Sequence, residues 1–232
     1  MKFRAAEDRL ILALDVQDRA AAERLVEATD GIVGVYKVGL EFAMAGGLAF
    51  AGEMARAGRS IFLDMKLLDI PNTVAGATRS AGALGVDFLT VHAYPQALRA
   101  AVSARPEGLA VVAVTVLTSL ADADLKEAGY ATKVDRLVSE RIASAAAAGA
   151  DAIVCAPFEA TAAKRSGLTV ITPGVRLADD PSGDQKRVST PQAAIMAGAD
   201  AIVVGRPINA APDPHEAAIR YRDAITEALG AL

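Results

Sequence analysis

Short apolar runs rich in β-branched residues alternate along the chain with Ala-rich stretches whose apolar positions recur at helical spacing. The runs at 10–15, 33–39, 60–66, 86–92, 110–117, 152–156, 168–172 and 201–205 predict eight strands. The stretches at 19–28, 41–57, 72–84, 134–148 and 191–197 predict helices between them. Three segments repeat one grammar: Gly85-Val86-Asp87-Phe88, Gly149-Ala150-Asp151-Ala152 and Gly198-Ala199-Asp200-Ala201. Each reads as a helix stop followed by a strand, with the glycine in the left-handed conformation that ends a helix and the aspartate in the turn. Repetition of one βα unit favours a closed (β/α)8 TIM barrel over a doubly wound sheet. A single α/β barrel commonly takes about 250 residues, so this chain of 232 is expected to be one domain, 1–232.

Composition supports this picture and narrows the partners. A hydrophobic fraction of 53% with only 4% aromatics suits a buried parallel sheet covered by small-residue helices. Lys and Arg number 24 against 28 Asp and Glu, so no global basic field exists to hold a nucleic acid or an anionic membrane, and any anion must be caught locally. No apolar run approaches the ~20 residues of a membrane span. The opening Met1-Lys2-Phe3-Arg4-Ala5-Ala6-Glu7-Asp8 is too acidic and too poor in apolar residues for a signal peptide, so a cytoplasmic location is expected. The single cysteine, Cys155, lies in an apolar run and reads as a small buried hydrophobe. With His92 and His215 the only histidines, no spacing resembles a zinc site, and no metal is expected.

The candidate chemistry lies in Asp64-Met65-Lys66-Leu67-Leu68-Asp69-Ile70-Pro71-Asn72-Thr73, which closes the third predicted strand. Side chains at i and i+2 of a strand point the same way, so Asp64 and Lys66 should project together from its carboxyl end. Lys37 ends the second strand and Asp15 the first, which adds two charges at the same rim. Spacing alone also allows a structural ion pair that closes the top of the barrel. Two connections, 118–132 after the fifth strand and 173–189 after the seventh, exceed the roughly two to six residues usual in such units and read as lids, with plain surface decoration as the alternative. In Gly205-Arg206-Pro207 a glycine at the eighth strand's end lets backbone N–H groups approach a phosphate, while Arg206 offers a forked charge.

The pattern Asp64-x-Lys66-x-x-Asp69-Ile70-Pro71-x-Thr73 resembles the active-site signature of the orotidine 5′-phosphate decarboxylase family. The likeness extends through Leu12-Ala13-Leu14-Asp15, Tyr36-Lys37-Val38-Gly39, Val116-Leu117-Thr118-Ser119, Thr172-Pro173-Gly174-Val175-Arg176, Gly183-Asp184-Gln185-Lys186-Arg187 and Val204-Gly205-Arg206-Pro207-Ile208. It departs at Leu67-Leu68 and at Tyr94-Pro95-Gln96, positions with no assigned chemistry. The resemblance implies a homodimeric barrel with shared active sites that converts the nucleotide orotidine monophosphate to uridine monophosphate and CO2 without metal or organic cofactor. It implies that Lys37, Asp64 and Lys66, with Asp69 from the partner subunit, form a charge array in which Lys66 is the proton donor. It further implies that Asp15 and Lys37 bind the ribose hydroxyls with help from Asp69 and Thr73 across the dimer. Thr118 would lie at the ribosyl or pyrimidine end, and Arg176, Gln185, Gly205 and Arg206 would surround the phosphate. Two rivals remain: a magnesium-dependent 3-keto-gulonate 6-phosphate decarboxylase of the same superfamily, against which the Ile70-Pro71-Asn72-Thr73 tail argues, and a non-catalytic nucleotide-phosphate sensor.

Overall fold

A computed structural model describes residues 3–180 and 189–232. Eight parallel strands close on one another in sequence order: β1 (Leu10–Ala13), β2 (Val35–Val38), β3 (Ser60–Leu67), β4 (Phe88–His92), β5 (Ala110–Val114), β6 (Ala152–Val154), β7 (Thr169–Thr172) and β8 (Ala201–Val204), with β8 pairing back to β1. Each falls within a predicted run except β3, which reaches one residue further. The barrel interior holds Ile11, Ala13, Val35, Phe62, Phe88, Val112, Ala152, Ile171, Ala201 and Val203. Their strand neighbours, such as Leu10, Leu12, Tyr36, Ile61 and Leu63, face outward into the layer beneath the helices.

Helix starts follow local chemistry. Pro71, Pro95, Pro191 and Pro214 each occupy the first turn of a helix, where a missing N–H costs no hydrogen bond. Asp18 caps helix Arg19–Ala28 by accepting from the Ala21 N–H at 2.8 Å. The predicted helix 41–57 is broken: Leu40–Phe42 runs into a π-type turn at Ala43–Gly47 before helix Leu48–Arg56, because Gly46 takes φ 94°. Tyr94-Pro95-Gln96 opens helix Pro95–Ala104, which the sequence reading left without an element. The connection after β5 is not structureless, since it contains helix Asp122–Glu127. The longest helix among the described residues, Pro214–Gly230, carries the exposed His215 in its first turn.

The repeated Gly-x-Asp grammar has a physical basis at the amino ends of the strands. Gly85, Gly149 and Gly198 all take positive φ and end the preceding turn. Asp87 accepts the Ile61 N–H at 2.8 Å, Asp151 the Val111 N–H at 2.9 Å and Asp200 the Val170 N–H at 2.8 Å. Each aspartate therefore ties its own strand to the one before it. No helix among the described residues is long and apolar enough to cross a membrane.

Candidate active site

At the carboxyl end of the first three strands the inward-facing positions turn from apolar to charged. Ile11 and Ala13 lead to Asp15, Val35 leads to Lys37, and Phe62 leads to Asp64 and Lys66. Lys37 Nζ lies 3.4 Å from Asp15 Oδ1 and 3.4 Å from Asp64 Oδ2, while Lys66 Nζ lies 2.8 Å from the same Asp64 oxygen. The four charges alternate in sign along one line. They border a cavity of about 360 Å³, so the array lines a site as well as pairing internally. Lys37 is only 8% exposed, and charges so desolvated need opposite partners on either side.

Burial alone would push the Asp64 carboxyl up. The adjacent Lys37 and Lys66 ammonium groups, with hydrogen bonds from Lys66 and Thr90, outweigh it and hold the group below its ordinary range. Glycine at residue 39 leaves this arrangement room: a Cβ there would stand 3.0 Å from Lys37 Nζ and 3.2 Å from Asp15 Oδ1.

The far side of the cavity comes from β5, β7 and β8. Thr118 and Ser119 line it, as do the buried Arg176 and the pair Gly205 and Arg206. Gly205 directly precedes the short helix Arg206–Asn209, which Asn209 anchors by donating to the Ala13 carbonyl at 2.7 Å. Cationic groups thus stand at both ends of the cavity, lysines at one and arginines at the other. That suits a ligand with anionic groups at two ends.

Asp69 and Thr73 stand apart from this site. Both are exposed, and Asp69 Oδ1 accepts the neighbouring Ile70 N–H at 2.6 Å. Gln185, with Gly183, Lys186 and Arg187, lies outside the described residues. His92 ends β4, and burial, then Arg141 and Lys66, push its pKa down, in keeping with a polar packing residue. Cys155 is 1% exposed and burial pushes its thiol up, which leaves it inert as read. Among the described residues, no group of three or more His, Cys, Asp or Glu converges as a metal site.

Thr90 carries no assignment in the sequence analysis. Thr90 Oγ1 donates to Asp64 Oδ1 at 2.9 Å and accepts the Lys66 backbone N–H at 2.8 Å. The available signal was a lone hydroxyl among the apolar positions of Phe88-Leu89-Thr90-Val91.

A family model described as orotidine 5'-phosphate decarboxylase / HUMPS matches residues 8–221. The orotidine 5'-phosphate decarboxylase of Methylorubrum populi is 56% identical over 215 residues, covering 91% of this chain and 92% of its own. That of Afipia carboxidovorans is 54% identical over 215 residues, covering 91% and 92% respectively. The crystal structure of orotidine 5'-phosphate decarboxylase from Lactobacillus acidophilus superposes with a TM-score of 0.81 at 31% identity, covering 93% of this chain and 98% of that one. The chain belongs to the orotidine 5'-phosphate decarboxylase / HUMPS family.

Proposed function

We propose that this protein is a carboxy-lyase that converts orotidine monophosphate to uridine monophosphate and CO2, the last step of de novo pyrimidine synthesis, with no metal or organic cofactor. The alternating line Asp15, Lys37, Asp64, Lys66 at the edge of a cavity is the observation that carries this reading. When the bond from C6 to the carboxylate breaks, its electron pair stays on C6 in the plane of the ring, where the ring cannot delocalise it. An adjacent fixed cation is the direct stabiliser. Lys66 supplies that charge and then transfers a proton to C6, so one side chain provides electrostatic stabilisation and general acid catalysis.

Asp64, 2.8 Å from Lys66, serves as its counter-charge and would lie near the departing carboxylate. Two unit charges about 4 Å apart at an effective dielectric of ~20 repel by about 4 kcal/mol, roughly a thousandfold in rate if fully relieved. Carbanion stabilisation takes the larger share, because it acts only as the transition state forms. Asp15 and Lys37 hold the ribose hydroxyls, and Thr118 meets the ribosyl or pyrimidine end. Arg176, Gln185, Gly205 and Arg206 grip the phosphate, which turns remote binding into order at the reacting carbon. Asp69 and Thr73 act on the partner's site in a homodimer, and their exposure in the single protomer supports that division.

The test is consumption of orotidine monophosphate by the purified protein, followed by absorbance and repeated with a chelator. No turnover would sink the reading, and turnover abolished by the chelator would replace it with a magnesium-dependent decarboxylation. Lys66→Ala is expected to lower kcat by at least about a thousandfold while leaving the fold intact, since it removes the charge at the carbanion.

A further inference from the structure

Strands β3 and β4 stay in register up to Leu63 opposite Leu89, and meet again at Leu67 opposite Val91. Three residues of β3, Asp64, Met65 and Lys66, therefore face a single residue of β4, Thr90. Such a bulge re-aims side chains and leaves backbone groups without ladder partners. Lys66 sits at its end with φ 48°, the one non-glycine residue with positive φ among the described residues. Side chains rarely adopt that conformation, and it persists only where the surroundings impose it. Here the imposing group is Thr90, whose side chain is fully buried. Its oxygen accepts the Lys66 backbone N–H at 2.8 Å and its one hydroxyl proton goes to Asp64 Oδ1 at 2.9 Å.

We infer that Thr90 is a positioning residue for this site, its single hydroxyl holding the Lys66 backbone in the left-handed turn while aiming the Asp64 carboxylate at Lys37 and Lys66. Lys37 and Lys66 both meet the other carboxylate oxygen, Oδ2, so the hydroxyl occupies the side of Asp64 that they leave open. A valine would fill the same space and satisfy neither neighbour. The Lys66 N–H would then lose its partner at a half-buried position, and Asp64 would be free to rotate. The inference rests on reading Lys66 as the group that meets the reacting carbon.

The experiment compares Thr90→Val and Thr90→Ser with the wild type, with Thr90→Ala against Thr90→Ser as the second pair should valine not be accommodated. Two readouts are taken: kcat and KM for orotidine monophosphate, and the titration of the Asp64 carboxyl carbon followed by carbon-13 NMR without substrate. Asp64 faces Lys37 from β2, Lys66 on its own strand and His92 from β4, and all three are kept in every variant. Thr90→Val should lower kcat by about ten- to a hundredfold, the scale of a lost hydrogen bond to a charged group, with a much smaller change in KM. It should also move the Asp64 titration upward, because a donor to the ionised form is gone. Thr90→Ser should restore both. A valine variant with wild-type kcat and an unmoved Asp64 titration overturns the assignment, as does a serine variant as impaired as alanine. Because the titration needs no turnover, an upward shift in a wild-type background that lacks decarboxylase activity would sink the proposed reaction and leave the role of Thr90 standing.

Discussion

Asp64 joins the two lysines, since a single oxygen, Oδ2, is within ion-pair distance of both. Its pKa is held below the ordinary 3.8, against burial that would raise it, by Lys37 and Lys66 and the hydrogen bonds. A carboxyl depressed in the folded state adds stability that is fully present above its unfolded value and is lost as pH falls through the folded one. The stability difference between wild type and Asp64→Asn should thus be constant above about pH 4 and should shrink below it. Thermal unfolding of both proteins across that window checks this, and a difference that stays flat into acid would show that the array does not depress Asp64. The charges at Asp15, Lys37, Asp64 and Lys66 were legible in the sequence because the two-residue strand period places them on one face at one rim. Thr90 and Gly39 were not: Thr90 acts across strands, opposite a bulge of three residues, and Gly39 makes space where the Lys37 ammonium meets the Asp15 carboxylate from the adjacent strand's end.

The strands were legible to within three residues at each end because each combines an apolar run with a glycine or aspartate near its start. The recurrent aspartate does more than turn the chain: Asp87, Asp151 and Asp200 each clasp the amino end of the preceding strand. Asp151 also meets Arg105 at 2.7 Å. Asp151→Ala leaves the Val111 N–H unsatisfied, which costs about 1–3 kcal/mol, or about 2–12 °C in Tm for a chain of this size. Turnover should stay close to wild type, because this clasp lies at the opposite end of the barrel from the charge array. Calorimetry together with a rate assay checks both halves, and a large loss of kcat with no change in Tm would contradict the assignment. Helices were harder to read than strands. No element is predicted at Pro95–Ala104, where the proline forms the first helical turn, and Gly46 breaks the 41–57 stretch through a positive φ that no periodicity reveals.

At the scale of the molecule, the chain gathers most of the proposed site around one cavity and leaves Asp69 and Thr73 exposed. Asp69 stands in solvent between Leu68 and Ile70, which are 48% and 64% exposed, and Leu40 and Met44 are exposed after the neighbouring β2. Exposed apolar side chains beyond adjacent strand ends are what the subunit interface of the proposed homodimer would cover. Nothing in the spacing of residues 64–73 distinguishes a carboxylate acting in its own barrel from one acting in a partner's; only the family resemblance carried that assignment. In a two-fold dimer each site would combine Lys66 of one chain with Asp69 of the other, so defects at the two positions should complement. Lys66→Ala and Asp69→Ala proteins, each nearly inactive alone, are unfolded, mixed in equal amounts and refolded together. Half the dimers are then mixed, and each mixed dimer has one intact site and one doubly defective site, which predicts recovery of about a quarter of the wild-type activity. Recovery should track the appearance of mixed dimers, measured by mass after tagging one variant. If mixed dimers form and activity stays at the level of the two mutants, Asp69 works within its own chain, and the loop that carries it must close over its own barrel.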